Sequence, residues 1–224
     1  MAEGRRGEKT AEDIRAVAIE LFYKRGFQAT ALRDVAAKVG IQVGSLYNHI
    51  TSKGDLLFEV METVMLDLLA DQRDVATELD VVERMRLLID HHVKFHGRRA
   101  REVFIGNSEL RSLKAAQLSR IVALRREYEM VFRNDLESAI RQGKFLAVDV
   151  QVTSFGILAV ATSVSIFYSP GGRLSLDAIA EIFTDMVLHG LWNPAAGDLR
   201  AHLQRARTSE AARNLLVDKR SFVY

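Results

Sequence analysis

Apolar residues recur along this chain three and four positions apart almost without a break, the spacing that places them on one face of an α-helix. Ile14, Val17, Ala18, Leu21 and Phe22 form the first such stripe. Thr10 opens it, with Asp13 three residues on as a carboxylate variant of the capping box, and Gly26 closes it. A second, short helix runs from Ala31 to Val39 with Thr30 as its cap, Leu32, Val35 and Ala36 inward, and Gly40 at its end. Ile41-Gln42-Val43 then turns the chain into a third short helix, Gly44 to Ile50. Ser52 caps a long fourth helix whose inner face is Leu57, Val60, Met61, Val64 and Leu68. The same period predicts helices over 82–97, 100–112, 114–142 and 149–168, another from Ser175 to the Trp192-Asn193-Pro194 segment, and an amphipathic one over 198–217. No stretch alternates with period two, so the predicted fold class is all-α. The segments read as an arm over 1–9, a three-helix domain over 10–55, a larger helical domain over 56–193 and a tail over 194–224.

Composition narrows the classes. With 48% hydrophobic and 27% charged residues the chain can build a core, which argues against disorder. Only Pro170 and Pro194 and 14 scattered glycines punctuate it, too few for a sandwich of short strands. The lack of cysteine excludes disulfides, thiolate metal sites and a cysteine nucleophile. The longest nearly apolar run, Phe155 to Tyr168, is dotted with Thr162, Ser163 and Ser165 and reads as too short for a bilayer. Met1 to Lys9 is charged, with no signal-like core after it. The expectation is a cytoplasmic protein without a membrane partner. Net charge is +2, but it is partitioned: residues 1–54 carry nine Lys/Arg against six Asp/Glu, residues 55–193 carry 16 against 20, and the tail six against three. Basic ends around an acidic middle point any polyanion to an end.

The first fifty residues carry the chemistry. Three helices in so short a span, the second and third joined by a Gly turn, have the proportions of a helix-turn-helix DNA reader. Gln42, Val43, Gly44, Ser45 and Asn48 on the third helix are small or hydrogen-bonding, suited to entering a major groove about 12 Å wide. Tyr47, His49 and Lys53 surround them with donors for phosphate oxygens, and Lys53 sits where a helix N-terminus also favours a phosphate. Gly26-Phe27-Gln28-Ala29-Thr30-Ala31-Leu32-Arg33-Asp34-Val35-Ala36 resembles the entry to helix two of the TetR family of transcriptional regulators. Gly40-Ile41-Gln42-Val43-Gly44-Ser45-Leu46-Tyr47-Asn48-His49-Ile50, with Ser52-Lys53 and Asp55-Leu56-Leu57, resembles that family's recognition helix and the start of its fourth helix. The resemblance implies backbone contacts at Thr30, Tyr47, His49 and Lys53, and base reading at Gln42, Val43, Gly44, Ser45 and Asn48; Arg33 is a further DNA-binding candidate. It departs at three places. Gln42 stands where Ser or Thr usually caps, Ala31 where a second hydroxyl is common, and Ile50 where Phe is usual.

The resemblance also implies a homodimer on a near-palindromic double-stranded operator, a C-terminal ligand-binding and dimerisation domain, and repression relieved by a small molecule. A four-helix interface is expected from Ala159, Ser163, Ile179, Ile182, Phe183, Met186 and Val187. Polar residues inside apolar stripes mark a pocket: Asn107 and Arg111 beyond Phe104, and Arg125 before Tyr128, with Phe95, Phe155 and Phe167 as walls. A buried Arg125 needs an anion, either Glu109 or Glu129 or the carboxylate or phosphate of a ligand. Phe167-Tyr168-Ser169-Pro170-Gly171-Gly172-Arg173-Leu174-Ser175 resembles a hinge of TetR-type repressors of lipid and sterol breakdown, which implies an acyl-CoA inducer beside the alternative of another hydrophobic one. His91, His92 and His96 are the nearest approach to a metal cluster, with no third ligand at a productive spacing, so no metal and no cofactor are expected. Gly106-Asn107-Ser108-Glu109 lacks the second glycine of a nucleophile elbow, and the chain is not read as an enzyme. Two other readings stay open: an all-α ligand-binding protein or enzyme whose N-terminal bundle is structural, and a TetR-like regulator with no small-molecule inducer. Three roles stay open for the tail: bracing the dimer, adding nonspecific DNA affinity through Arg200, Arg205, Arg207 and Arg213, or none, as a mobile end.

Overall fold

The computed structural model describes residues 2–73, 75 and 79–208, with backbone alone for 2–8, 207 and 208. In chain order the helices are α1 Ala2–Arg25, α2 Leu32–Val39, α3 Val43–Leu46, α4 Lys53–Arg73, α5 Val81–Arg98, α6 Ala100–Ser108, α7 Ala115–Arg141, α8 Val150–Thr162, α9 Val164–Phe167, α10 Leu176–Leu191 and α11 Leu199–Thr208. Short 3-10 turns occupy Leu110–Ser112 and Pro194–Ala196. Among the described residues the β-structure is one isolated bridge, Phe145 to Trp192. The fold is all-α, as the periodicity predicts.

Several boundaries move, each for a local reason. α1 starts at Ala2, so residues 2–9 are helix and not the disordered arm expected; once a helix is nucleated, adding residues costs little. The N-cap of α2 is Ala31, with no side-chain bond, while Thr30 donates its hydroxyl to the Gly26 carbonyl at the end of α1. The helix expected over 100–112 stops at Ser108 and tightens into a 3-10 turn. The one over 149–168 breaks at Ser163, where Ser163 and Ser165 donate their hydroxyls back to the carbonyls of Val160 and Thr162. The tail helix appears as α11; its predicted continuation to 217, with Arg213, lies outside the described residues.

The chain forms two compact units. The first comprises Met1–Asp67 and Arg99–Leu124, so it takes in α6 and the start of α7, which the sequence placed in the 56–193 domain. Its core is Ile14, Ala18, Leu21 and Phe22 of α1 with Val35, Ala36, Leu46, Ile50, Leu56 and Leu57. The Phe22 and Phe27 rings meet edge to face at 5.2 Å.

The second unit comprises Leu68–Arg98 and Arg125–Tyr224 and is built on α5. Val81, Val82, Met85, Leu88, Ile89 and Val93 of α5 are buried, and α10, α8, α9 and α11 pack on that helix. Gly97 permits the closest approach, since a Cβ there would strike the Leu176 side chain of α10. α11 is docked through buried Leu199 and Leu203, and through the His202 imidazole on Asp80 at 2.9 Å. The tail therefore completes this unit's packing.

Two histidines interrupt the apolar interior of the second unit. The ring nitrogens of His92 bond the Tyr128 hydroxyl at 3.0 Å and the Thr162 hydroxyl at 2.9 Å, joining α5, α7 and α8. His96 stacks on His92 with ring centroids 3.8 Å apart, and its Nδ1–H donates to the His92 carbonyl. Burial holds His96 down at about 4 and His92 well below the usual imidazole value. Both are neutral in the folded chain at neutral pH. In the unfolded chain they take up protons below about pH 6.5, so stability is full above that value and is lost as the pH falls toward about 4. The loss is about 1.4 kcal/mol per pH unit for each histidine. Denaturant midpoints followed from about pH 7 to about pH 5 are expected to fall, and to fall more gently in His96→Gln. Equal slopes in the two proteins would show that His96 is charged when folded.

Candidate nucleic-acid interface

The turn between α2 and α3 is made by Gly40. It sits at φ 82°, the left-handed region that a side chain disfavours. Its N–H and that of Ile41 reach back to the Ala36 carbonyl, each at 3.0 Å, which closes the last turn of α2. Gln42 then caps α3 by backbone alone, its carbonyl accepting from the Leu46 N–H at 3.1 Å.

α3 itself is only four residues long, shorter than the expected Gly44–Ile50 helix. Tighter bonds continue it, Asn48 N–H to Ser45 and His49 N–H to Leu46. Leu46 is fully buried and Ile50 is 7% exposed, and these two anchors, four residues apart, turn everything between them outward. Gln42, Val43, Gly44, Ser45, Tyr47, Asn48 and His49 are all exposed, Tyr47 at 55%. A narrow, largely uncharged edge of small and hydrogen-bonding groups suits base edges in a major groove.

Of the other expected DNA contacts, Arg33 is exposed, with Asp34 at 3.8 Å, and Tyr47 and His49 border the edge. Thr30 and Lys53 do other work. Thr30 is 1% exposed, its hydroxyl engaged by Gly26. The Lys53 ammonium donates to three carbonyls of the α1–α2 loop, Phe27 at 2.8 Å, Thr30 at 2.9 Å and Gln28 at 3.2 Å, and lies 4.4 Å from the centre of the Phe27 ring. An ammonium has three N–H donors, and here each has a carbonyl. Lys53 fastens the loop that leads into α2. Sequence spacing could not show this, because the partners lie 23 to 26 positions away.

The expected ligand residues are divided between the two units. Phe95 and Tyr128 are buried beside His92 and His96, and burial lowers the pKa of Arg125. Phe104 is 51% exposed in the first unit, its ring edge-on to Tyr23 of α1 at 5.3 Å; Asn107 and Arg111 are exposed there too. The inner residues of α6 are instead Val103 and Ile105. Phe155 and Phe167 are also more than half exposed, and Phe167 packs edge-on to Phe183. The carboxylates expected to pair with Arg125 are engaged elsewhere, Glu109 by the Ser112 hydroxyl and Glu129 by Arg133 and the Ser154 hydroxyl. His92, His96 and Thr162 join Tyr128 without having been expected; their spacing alone does not separate an interior cluster from ordinary helix polarity. Among the described residues no group of three metal-ligating side chains occurs.

The second unit carries a separate apolar face. On α8, Val152, Phe155, Gly156, Ala159 and Val160 are exposed in one helical stripe that runs toward half-buried Ser163. On α10, Ile182, Met186 and Gly190 are exposed, and Phe183 and Val187 flank them half-buried. Ile179, expected on this face, is 6% exposed and belongs to the inner seam with Ala180, Thr184 and Leu188. From Val150 to Phe167 the chain is long and apolar enough to cross a membrane by length and composition, which corrects the shorter run read from Phe155. The break at Ser163 and the single outward stripe make it a packing surface.

Residues 14–60 match the family described as bacterial regulatory proteins, tetR family, and residues 78–191 match the tetracyclin repressor-like C-terminal domain. The HTH-type transcriptional repressor KstR2 of Rhodococcus jostii (strain RHA1) is 30% identical over 195 residues, 85% of this chain and 94% of the relative. The structure of the ketosteroid transcriptional regulator KstR2 of Mycobacterium tuberculosis aligns with a TM-score of 0.76 at 25% identity, covering 82% of this chain and 95% of that one. AibR in complex with isovaleryl coenzyme A and operator DNA aligns with a TM-score of 0.72 at 28% identity, over 79% of this chain and 97% of that one. With both domains matched in order and a relative aligned nearly end to end, the chain belongs to the TetR family of bacterial regulatory proteins.

Proposed function

We propose that this protein is a cytoplasmic, homodimeric repressor that reads a near-palindromic operator through residues 42–49 and releases it on binding a small molecule. The observation that carries the reading is the exposed edge Gln42–His49 held between the buried anchors Leu46 and Ile50. Gln42, Val43, Gly44, Ser45 and Asn48 read bases, while Arg33, Tyr47 and His49 meet phosphates. The organisation this uses is a reading domain over 10–55 and a pairing and ligand domain over 56–193, of which α6 and the start of α7 belong to the first compact unit.

One edge reads only a few base pairs, so specificity requires a second copy with its edge about 34 Å away, one helical turn along the duplex. The α8 and α10 stripes supply the pairing face, with Ala159, Ile182 and Met186 central and Ser163, Phe183 and Val187 at its margin. The apolar residues that a lone chain leaves in water there are what a two-fold partner would cover.

For the inducer, the ketosteroid regulator KstR2 supports a steroid-derived class, and the AibR complex supports an acyl-CoA thioester. Phe95, Arg125 and Tyr128, with His92 and His96, would line that site in the second unit. A ligand that favours the released conformer 100-fold shifts the equilibrium by about 2.7 kcal/mol per site. One observation favours the second reading, a regulator without a small-molecule inducer: the His92 ring already bonds both Tyr128 and Thr162. Selection of genomic fragments by the purified protein tests the function, and failure to enrich any sequence would overturn it. Addition of isovaleryl-CoA and of steroid-derived CoA thioesters to the bound complex separates inducible from non-inducible regulation.

Asn48→Ala is expected to relax preference at one base position, costing about 1–3 kcal/mol against the selected base only; uniform loss across operator variants would argue against direct reading. Arg33→Ala is expected to reduce the log–log salt slope by about one unit, while Lys53→Met leaves the slope in place and lowers the unfolding midpoint. Ile182→Glu with Met186→Glu is expected to halve the solution mass by light scattering and weaken operator binding by about 100-fold or more, because the second edge is no longer tethered. A doubly substituted protein that remains dimeric would move the pairing face elsewhere.

A further inference from the structure

The first turns of α4 and α7 cap each other. Ser52 is the N-cap of α4: its Oγ accepts the Asp55 N–H at 3.1 Å and donates its own proton to Asp55 Oδ2 at 2.7 Å. At the start of α7, Gln117 Oε1 accepts the Lys114 N–H at 3.1 Å, the reciprocal half of the same motif. Asp55 and Gln117 thus hold equivalent places, each three residues past its helix cap. They are bonded to each other. Gln117 Nε2 donates to Asp55 Oδ1 at 2.8 Å, and Lys114 Nζ reaches the same oxygen at 3.2 Å. One carboxylate therefore answers two helix N-termini, the ends whose dipoles favour negative charge. The Ser52 hydroxyl and then Lys114 hold Asp55 below the ordinary carboxylate range.

The neighbour of Ser52 in that turn is Lys53, whose ammonium grips the carbonyls of Phe27, Gln28 and Thr30. Two sets of polar bonds, joined covalently where Ser52 precedes Lys53, thus link the first turn of α7 through Asp55 and the α4 cap to the loop that sets α2. All of it lies within the first unit.

We propose that Asp55 and Gln117 are positioning residues for DNA reading: their cap-to-cap bond makes the start of α7 part of the scaffold that holds α2 and α3 in register for the groove. Neither side chain touches DNA in this scheme. A shift of α7's first turn is passed to the loop that sets α2 through Asp55 and Lys53, all within the first unit. The proposal rests on the DNA-reading function and deepens it.

Three variants test it on a duplex recovered by wild-type protein from a randomised library. Gln117→Glu keeps the oxygen that caps Lys114 but replaces the donor to Asp55 with a second carboxylate. Gln117→Leu breaks the bond without adding charge. Asp55→Asn with Gln117→Glu reverses the donor and acceptor and restores the wild-type charge. Both single variants are expected to bind about tenfold more weakly with an unchanged salt slope, since no phosphate contact is lost, and the double variant is expected to recover. Hydrogen exchange over residues 27–33 should quicken in the single variants and slow again in the double one, a readout that needs no DNA. Wild-type affinity and exchange in Gln117→Leu would overturn the proposal, as would a double variant no better than Gln117→Glu. Failure of wild-type protein to recover any duplex would instead count against DNA reading, and the exchange measurement would still decide the role of the bond.

Discussion

A helix of four residues cannot hold itself. Isolated helices shorter than about 12–15 residues are marginal in water, so α3 exists only because its surroundings impose it. Two buried side chains, Leu46 and Ile50, fix its rotation, and Gly40 supplies the left-handed backbone conformation that ends α2 and turns the chain toward it. Lys53 ties the preceding loop to the following helix by three carbonyls, and Ser52 and Asp55 anchor that helix in turn. The Gln42–His49 edge is exposed because its apolar anchors, Leu46 and Ile50, lie on its reverse.

The second unit solves the opposite problem. It has more apolar surface than one chain can cover and more polarity inside than an apolar core prefers. The surplus outside lies in two stripes, on α8 and α10, with small residues at Gly156, Ala159 and Gly190 where helices can approach closely. The polarity inside is made tolerable by mutual bonding: Tyr128 and Thr162 each satisfy one nitrogen of His92, and desolvation keeps the imidazoles neutral. Such a cluster is costly to disturb by halves, because a buried polar group that loses its partner is worse than none. A group entering from a ligand would have to replace those bonds in kind.

The helical reading carried over well where a single face is buried, as in α1, α5 and α10. It failed where helices end, since Ser163 and Ser108 terminate helices through side-chain and turn bonding that a hydrophobic period does not encode. The pocket residues were the least legible. Phe104, Phe155 and Phe167 fit interior stripes by spacing, yet each lies outside, because an aromatic residue on a stripe can face the core or a second surface equally well by period alone.

The chain's own order of residues determined that it is all helical, that residues 40–50 form a turn and a short exposed helix, and which of their side chains face out. These are local matters: a glycine able to take positive φ, and apolar anchors four positions apart. Tertiary structure alone decided that Lys53 serves the α1–α2 loop, that Thr30 is buried, that Gln117 meets Asp55, and that His92 joins three helices. The Lys53, Gln117 and His92 contacts join side chains to groups brought near by the packing of separate elements. A hydrogen bond forms only when donor and acceptor reach about 3 Å, and nothing in linear spacing fixes that distance across distant segments.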